Sequence, residues 1–323
     1  MNNEITIIVP IFNSSRTLLK LFTSIESQVY KKFKVILIDG SSTDDSLSIC
    51  VKQSKKDDRF SVIESKYYTE QHDVATLRNI GLENVNTSYV TFIDSDDWVE
   101  KNHLSNLLNY IKNTELSVCG WTNEDTGIYN LKNNAKILDK DELLVKTLGM
   151  KESAGYTWNK LFLTEIIKNN NLKFDSRYKV SEDLLFCIEY IKKINCGAII
   201  RPAKTYHYIK RKESITSSIY AKKPFTELET IKAILPLINT CSIKVKKAYL
   251  IHKLMAYNSI FRIANNVSLS SGFIVDARKD IKKNIFLLSS SKEYPLRNKI
   301  TLIGYAFVPG IIEKCRELKR KFL

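Results

Sequence analysis

Short, almost wholly apolar runs alternate with polar stretches of helical spacing over the first hundred residues. Residues 5–10 (ITIIVP), 33–38 (FKVILI), 60–63 and 89–93 (YVTFI) are rich in β-branched side chains. Runs this short, without in–out alternation, suit strands buried on both faces, as in a parallel sheet. Between them, Leu18, Leu19, Phe22 and Ile25 keep helical spacing behind Asn13 or Ser14 as caps. Leu47, Ile49 and Val51 follow Thr43 or Asp44 in the same way, and residues 75–82 read as a third helix. Alternating units of this length predict an α/β fold, a mainly parallel sheet flanked by crossover helices.

Beyond residue 100 the pattern loosens. Strands are expected at 116–121 and 198–208, with an edge strand within 129–138. Helices are expected at 140–148, 163–170 and 182–193, then at 225–238, 243–266 and 273–288. This divides the chain into an α/β domain over 1–220, with halves at 1–100 and 101–220, and a helical C-terminal region over 221–323. No internal repeat or low-complexity tract interrupts it.

Composition narrows the class. Of 323 residues, 44% are hydrophobic and 26% charged, which is ordinary for a globular chain and argues against global disorder. The six cysteines form no CxxC pair, so they read as reduced, apolar residues rather than zinc ligands. The start, MNNEITIIVP, has neither the basic flank nor the cleavage site of a signal peptide. The longest apolar stretch, 300–312, is interrupted by Gly304, Pro309 and Gly310, too short to cross a bilayer. A cytoplasmic chain is expected.

The net charge of +15 sits mostly at one end. Residues 1–97 hold 11 basic and 14 acidic groups, whereas residues 220–323 hold 20 and 7. An excess of this kind implies a polyanionic partner. The sequence ITLIGYAFVPGII runs straight into EKCRELKRKFL, and apolar residues beside basic ones suit an anionic membrane surface. No helix-turn-helix, zinc finger or RNP-like pattern supports a nucleic-acid partner. The region is expected to dock peripherally on the inner face of the cell membrane, or else to form a homodimer interface.

Two of the apolar runs end directly in carboxylates: ILIDGSSTDDS at Asp39, and FIDSDDW at Asp94, Asp96 and Asp97. In open α/β sheets, ligands bind at the carboxyl ends of strands. Neither GxGxxG nor GxxxxGK[ST] is present, so a phosphate cradle of backbone amides is not available. Asp94-Ser95-Asp96 instead offers two hard oxygen ligands on one turn, suited to Mg²⁺ or Mn²⁺ bridging a diphosphate.

In order and spacing, IVPIFN, IDGSSTDDS, ATLRNIGL and YVTFIDSDDW resemble the nucleotide-sugar domain of family 2 glycosyltransferases. The resemblance continues more weakly through WNKLF, SEDLLF and YHYIKRKESIT to about residue 217. It implies the GT-A fold, with a nucleotide-binding first half and an acceptor-binding second half. It further implies that Pro10, Phe12 and Asp39 hold the nucleotide base, that Arg78 approaches the ribose and phosphates, and that Asp94, Ser95 and Asp96 form the DXD site. Phe12 stands where the family usually has Tyr, and Gly40 where it usually has a second acid. Asp97 would support the site from behind, and His207 would be a third metal ligand. Asp183, or failing it Glu182, would be the base that takes the acceptor's proton. A helix N-terminus is expected to lower the pKa of that base. Trp158, Asn159 and Lys160 would lie on the acceptor side, and Lys210, Arg211 or Lys212 would neutralise the leaving diphosphate. Trp98 reads as core. His72, His103 and His252 have no partner pattern.

The resemblance thus implies an inverting, metal-dependent hexosyltransferase that moves sugar from a UDP-sugar to a saccharide hydroxyl. The acceptor would be lipid-linked, in bacterial surface-glycan synthesis such as lipopolysaccharide O-antigen or capsule. The rival from another class is a non-catalytic, membrane-associated module that keeps the nucleotide fold. A sugar nucleotidyltransferase would need a Gly-rich first loop, which IVPIFNSS lacks.

Overall fold

Both faces of the first strand are apolar, and both are covered. In the computed structural model, which describes residues 3–71, 73–123, 136–149, 154–195, 198–209, 225–263, 271–291 and 296–308, strand β1 (Ile5–Ile11) runs between two cores. Ile5, Ile7, Val9 and Ile11 join one apolar cluster, while Ile8 joins the other. The first cluster takes in Leu21 and Phe22 of helix α1 (Leu18–Glu26) and Cys50 of α2 (Ser46–Lys56). The second takes in Leu77 and Ile80 of α3 (Val74–Glu83). The period-two alternation explains why these strands read as unbroken hydrophobic runs.

β2 (Phe33–Asp39), β3 (Phe60–Glu64) and β4 (Tyr89–Phe92) complete a parallel set in the order β3-β2-β1-β4. The chain moves outward from β1 to β3, then returns to β1's other side with β4. α3 lies tight on β1 as it makes that return. A Cβ on Gly81 would stand 2.6 Å from Ile8 Cγ2, so only glycine lets the helix come this close.

The second half of the sheet is mixed. β8 (Lys160–Leu163) is antiparallel to β4 and to β6 (Leu116–Asn123). β6 pairs in parallel with β9 (Ala198–Tyr208). β5 (Trp98–Val99) and β7 (Lys136–Leu138) run antiparallel to opposite ends of β9. β8 was not expected, because its four residues sit inside a segment read as loop and helix; α6 (Thr164–Asn169) starts only after it. α4 (His103–Ile111) was also missed, although Leu104, Leu107, Leu108 and Ile111 follow a helical stripe and all are buried. α5 (Lys140–Leu148) and α7 (Glu182–Lys193) fall where expected.

α8 (Thr226–Ile238), α9 (Ile243–Ile263), α10 (Ser271–Lys283), α11 (Ile285–Ser290) and α12 (Leu296–Phe307) follow. The single helix expected at 273–288 is two, divided at Asn284. Leu228, Ile231, Leu254 and Leu302 of these helices belong to the same continuous apolar cluster as Leu184 and Ile188 of α7. Among the described residues, no helix is long and apolar enough to cross a membrane.

Candidate active site

The parallel order reverses between β1 and β4, and the crevice at such a switch point is where open α/β sheets bind ligands. Register brings the acids there. Ile11 pairs with Asp39 and Ile8 with Phe92, so Pro10, Asp39 and Asp94 emerge at one edge. Side-chain hydrogen bonds lace the three strand-end loops together. Asn13 (φ 47°) accepts from the Thr43 amide at 2.8 Å and gives its own amide to Ser42 Oγ at 3.1 Å. Ser14 Oγ meets Ser95 Oγ at 2.7 Å, and Thr17 Oγ1 donates to the Ser95 carbonyl at 2.8 Å. The Asp94–Asp96 turn is thereby fixed to the loop that carries Phe12.

Asp39 is 2% exposed. Its Oδ2 accepts from the Ser42 amide at 3.1 Å, while Oδ1 is buried without a partner. A lone buried carboxylate oxygen is costly unless something donates to it. Pro10 is buried, and Phe12 lies 44% exposed above this edge.

Arg78 joins the two halves of the site. Nη2 donates to Asp94 Oδ1 at 3.1 Å and Nη1 to Glu182 Oε1 at 2.9 Å, with the guanidinium 5.3 Å from the Phe174 ring centroid. Asp94 and Glu182, together with Asp183, raise the guanidinium's pKa against the opposing effect of burial. Asp97 lies behind the turn and is buried. It accepts from the Tyr206 hydroxyl at 2.6 Å and from the Ile209 amide at 2.8 Å. The Tyr206 oxygen in turn accepts from the Asp94 amide at 3.2 Å. Burial first, and then the adjacent Asp94 and Asp96, hold the Asp97 carboxyl far above the usual range. Sequence reasoning assigned Tyr206 no role; its place on β9, across from Trp121 on β6, makes it the strut of the turn.

Ser181 precedes α7, and its left-handed backbone (φ 61°) turns the chain so that Glu182 and Asp183 form the first turn. The Thr230 hydroxyl of α8 holds the preceding Val180 carbonyl at 2.7 Å. Glu182 is the member of the pair that takes Arg78, and Asp183 Oδ1 accepts from the Leu184 amide at 2.8 Å. The Asp183 carboxyl does not follow the expected lowering by the helix terminus. Burial, followed by the Glu182 charge, pushes it up to about 7 against the opposing pull of Arg78. That value favours proton acceptance near neutral pH.

The residues expected on the acceptor side separate. Trp158 is buried, and Asn159 is buried with its Nδ2 on the Cys119 carbonyl at 3.1 Å. Lys160 lies beneath the cleft, 0% exposed, its ammonium on Ala154 O at 2.9 Å, Tyr156 O at 2.6 Å and Asn159 Oδ1 at 3.0 Å. It therefore shapes the 154–160 loop from inside. Lys210, Arg211, Lys212 and His72 lie outside the described residues, as do residues 309–323 with their basic run. His103 is buried on Thr205 Oγ1, and His252 bonds the Leu148 carbonyl. Trp98, expected in the core, is only half-buried, with the Lys20 ammonium 4.6 Å from its ring centroid.

Asp94 and Asp96, both part-exposed on one turn, are a hard-oxygen pair that suits a divalent cation. Arg78 is shared between Asp94 and Glu182, and Asp97 is held far above the usual range by burial, so Asp94 and Asp96 are the carboxylates of this turn that a cation would meet. His207 is not gathered with them. The Trp98–His207 register stacks its ring on Trp98 at 3.5 Å and sets Nε2 2.7 Å from Glu100 Oε1. Among the described residues, no three His, Cys, Asp or Glu side chains form a metal-binding group. A hollow of about 390 Å³ at the opposite sheet edge, lined by Lys31, Lys32, Lys34 and Arg59 among others, shares no residue with this site.

Comparisons with known proteins point the same way. The family described as glycosyl transferase family 2 matches residues 6–170, ending before α7. Glycosyltransferase GlyA of Streptococcus pneumoniae is 31% identical over 199 residues, covering 57% of this chain and 27% of that protein. The putative glycosyltransferase EpsH of Bacillus subtilis is 27% identical, covering 68% of this chain and 64% of its own. The poly(ribitol-phosphate) β-N-acetylglucosaminyltransferase TarS of Staphylococcus aureus is 25% identical, covering 72% and 40%. The chain thus spans about a quarter to two thirds of the length of these relatives. In fold it is similar to S. aureus TarS residues 1–349 in complex with UDP-GlcNAc, with a TM-score of 0.63 at 20% identity, covering 94% of this chain and 87% of that one. A Pyrobaculum calidifontis mannosyltransferase in complex with GDP-Man and Mn²⁺ gives 0.58 at 16% identity, covering 94% and 85%. The fold is GT-A-like, a mixed sheet flanked by helices with a helical C-terminal region.

Proposed function

The chain belongs to glycosyl transferase family 2, and from that membership we propose that it transfers a hexosyl group from a UDP-sugar to a saccharide hydroxyl with inversion. The observation that carries this reading is the Arg78 bridge. One buried guanidinium spans Asp94 at the strand-end turn and Glu182 beside Asp183, so donor-side and acceptor-side acids share one crevice.

In this reading Asp39 Oδ1 accepts from a ring N–H of the nucleotide base, which meets its unpartnered state, with Pro10 and Phe12 packing on the ring. Mn²⁺ or Mg²⁺ on Asp94 and Asp96 would supply positive charge to the diphosphate as its bond to the sugar breaks. Arg78 holds Asp94 in place, and Asp97 with Tyr206 sets the turn. Asp183 removes the acceptor proton while the hydroxyl oxygen attacks the anomeric carbon from the face opposite the leaving UDP. One bond to that carbon forms as the other breaks, which inverts it.

The relatives include an N-acetylglucosaminyltransferase and a structure in complex with UDP-GlcNAc, so UDP-GlcNAc is the first donor to test. The acceptor is a lipid-linked or polymeric surface glycan, met at the inner membrane face by the basic C-terminal region of residues 221–323. Calorimetric titration of UDP, GDP and dTDP, each with Mn²⁺ and with EDTA, tests the donor site. Metal-dependent binding of UDP alone is expected; no binding of any nucleotide would favour a non-catalytic module. UDP-GlcNAc hydrolysis abolished in Asp96→Ala would also exclude that module. For the membrane reading, flotation with anionic liposomes should compare the whole chain with one lacking residues 309–323. A longer cut from 295 would strip Leu302, Tyr305 and Ala306 from the core. Unchanged flotation would refute docking by the terminal basic run.

A further inference from the structure

Five aromatic side chains from three separate parts of the sequence meet beside the acids. Trp158 stacks on Tyr156 at 4.7 Å and 12°, on Tyr206 at 4.3 Å and 20°, and lies nearly parallel to Tyr208 at 6.1 Å. Trp121 stands perpendicular to Tyr156, Trp158 and Tyr208 at 5.6–6.3 Å. Trp158 and Tyr206 are buried, whereas Trp121, Tyr156 and Tyr208 are each only half-buried.

Both ends of this stack are tied to the catalytic groups. At one end, the ring of Tyr206 belongs to the stack while its hydroxyl holds Asp97 and the Asp94 amide. At the other, Tyr156 sits on a loop pressed against the start of α7. A Cβ on Gly155 would stand 2.5 Å from Leu184 Cβ, one residue from Asp183. The Lys160 ammonium and the Cys187 thiol both engage the Tyr156 carbonyl. The stack thus runs from the Asp94–Asp97 turn to the start of α7, and its half-buried members are Trp121, Tyr156 and Tyr208.

A pyranose has an apolar face of C–H groups rimmed by hydroxyls, and amphipathic rings such as Trp and Tyr match both parts. We propose that Trp121, Tyr156 and Tyr208 form the acceptor platform, on which a sugar ring of the acceptor lies with its attacking hydroxyl turned to Asp183. Trp158 and Tyr206 are its buried foundation. The proposal rests on the transferase reading and adds a specificity surface that none of the acids provides.

The test uses the whole chain with Mn²⁺, UDP-GlcNAc as donor, and the methyl β-glycosides of glucose, galactose and N-acetylglucosamine as acceptor probes. Trp121→Ala and Tyr156→Ala should raise the acceptor KM by about tenfold or more, with affinity for UDP and UDP-GlcNAc within about twofold of the parent. Trp121→Phe and Tyr156→Phe keep a ring and should restore most of the acceptor affinity, which separates stacking from loss of fold. Unchanged acceptor KM in the alanine variants would overturn the platform. So would an equal loss of UDP-GlcNAc affinity, which would place the rings under the donor sugar. A parent chain that binds UDP-GlcNAc yet is saturated by none of the three glycosides would overturn it too. Absence of UDP binding in the parent chain would instead refute the transferase reading, and the platform with it.

Discussion

Replacing Asp183 by Asn should make the folded chain more stable above neutral pH while it removes transfer. Asp183 is pushed up from its ordinary 3.8 to about 7, burial first and the Glu182 charge next. The folded state therefore holds this proton more tightly than the unfolded chain does. Stability from this group is full below about pH 4 and is lost as pH rises toward about 7, after which the deficit is constant. A shift of about three units sets an upper limit of about 4 kcal/mol. Asp183 is not fully enclosed and shares its field with Glu182, so roughly 1–3 kcal/mol is the reasonable expectation. Urea unfolding in EDTA at about pH 5 and about pH 8 would read it, the variant's gain on the parent being partial at the lower pH and larger at the higher. Transfer should fall by about 10²–10⁴, the usual worth of a general base. A variant less stable than the parent at the higher pH, or one with the same difference at both, would refute the argument.

Arg78→Ala leaves Glu182 and Asp94 without their cation and should cost about 3–5 kcal/mol in urea unfolding, chiefly because the buried Glu182 loses its partner while Asp94 is part-exposed. The acid limb of kcat/KM should fall below about pH 7, where Asp183 protonates, and Glu182→Gln should move that limb to lower pH by removing the charge that raises it. Lys160→Met keeps bulk but strands Ala154 O, Tyr156 O and Asn159 Oδ1; a loss of about 2–4 kcal/mol and an altered near-UV circular dichroism from the displaced Tyr156–Trp158 stack are expected. Gly81→Ala puts a methyl group 2.6 Å from Ile8 Cγ2 and should lower stability by about 1–3 kcal/mol in the same unfolding assay.

The parallel half of the fold was legible because its strands are buried on both faces, so that apolar runs such as ITIIVP and YVTFI stand out without any three-dimensional context. Acids that end such runs mark the ligand edge for the same reason. The antiparallel β8 was not legible, since KLFL has four residues and begins with a lysine. Nothing in a single sequence says that this lysine is satisfied by three oxygens of its own loop. The aromatic stack was hidden differently. Trp121, Tyr156 and Tyr206 are far apart in sequence, and only the β6–β9 pairing and the 154–160 loop bring them together. The raised Asp183 carboxyl was misjudged because a helix terminus is visible in sequence while enclosure is not. α4, by contrast, shows its stripe plainly in HLSNLLNYI.

The hydrogen bond from Thr230 to the Val180 carbonyl has a consequence for how the smallest working unit is cut. The segment matched to the family stops at residue 170, and the motif-bearing sequence fades near 217. A recombinant version trimmed at 170 would lose Glu182 and Asp183 outright, and one trimmed at 217 would keep all the acids but lose the Thr230 hydroxyl that steadies the approach to Ser181. The orientation of Asp183, the proposed base, is thus inherited partly from a helix that carries none of the recognisable chemistry. Substitutions drifting into α8 would retune turnover while leaving the signature residues intact, and a screen for altered activity should begin its library there as well as at the acids.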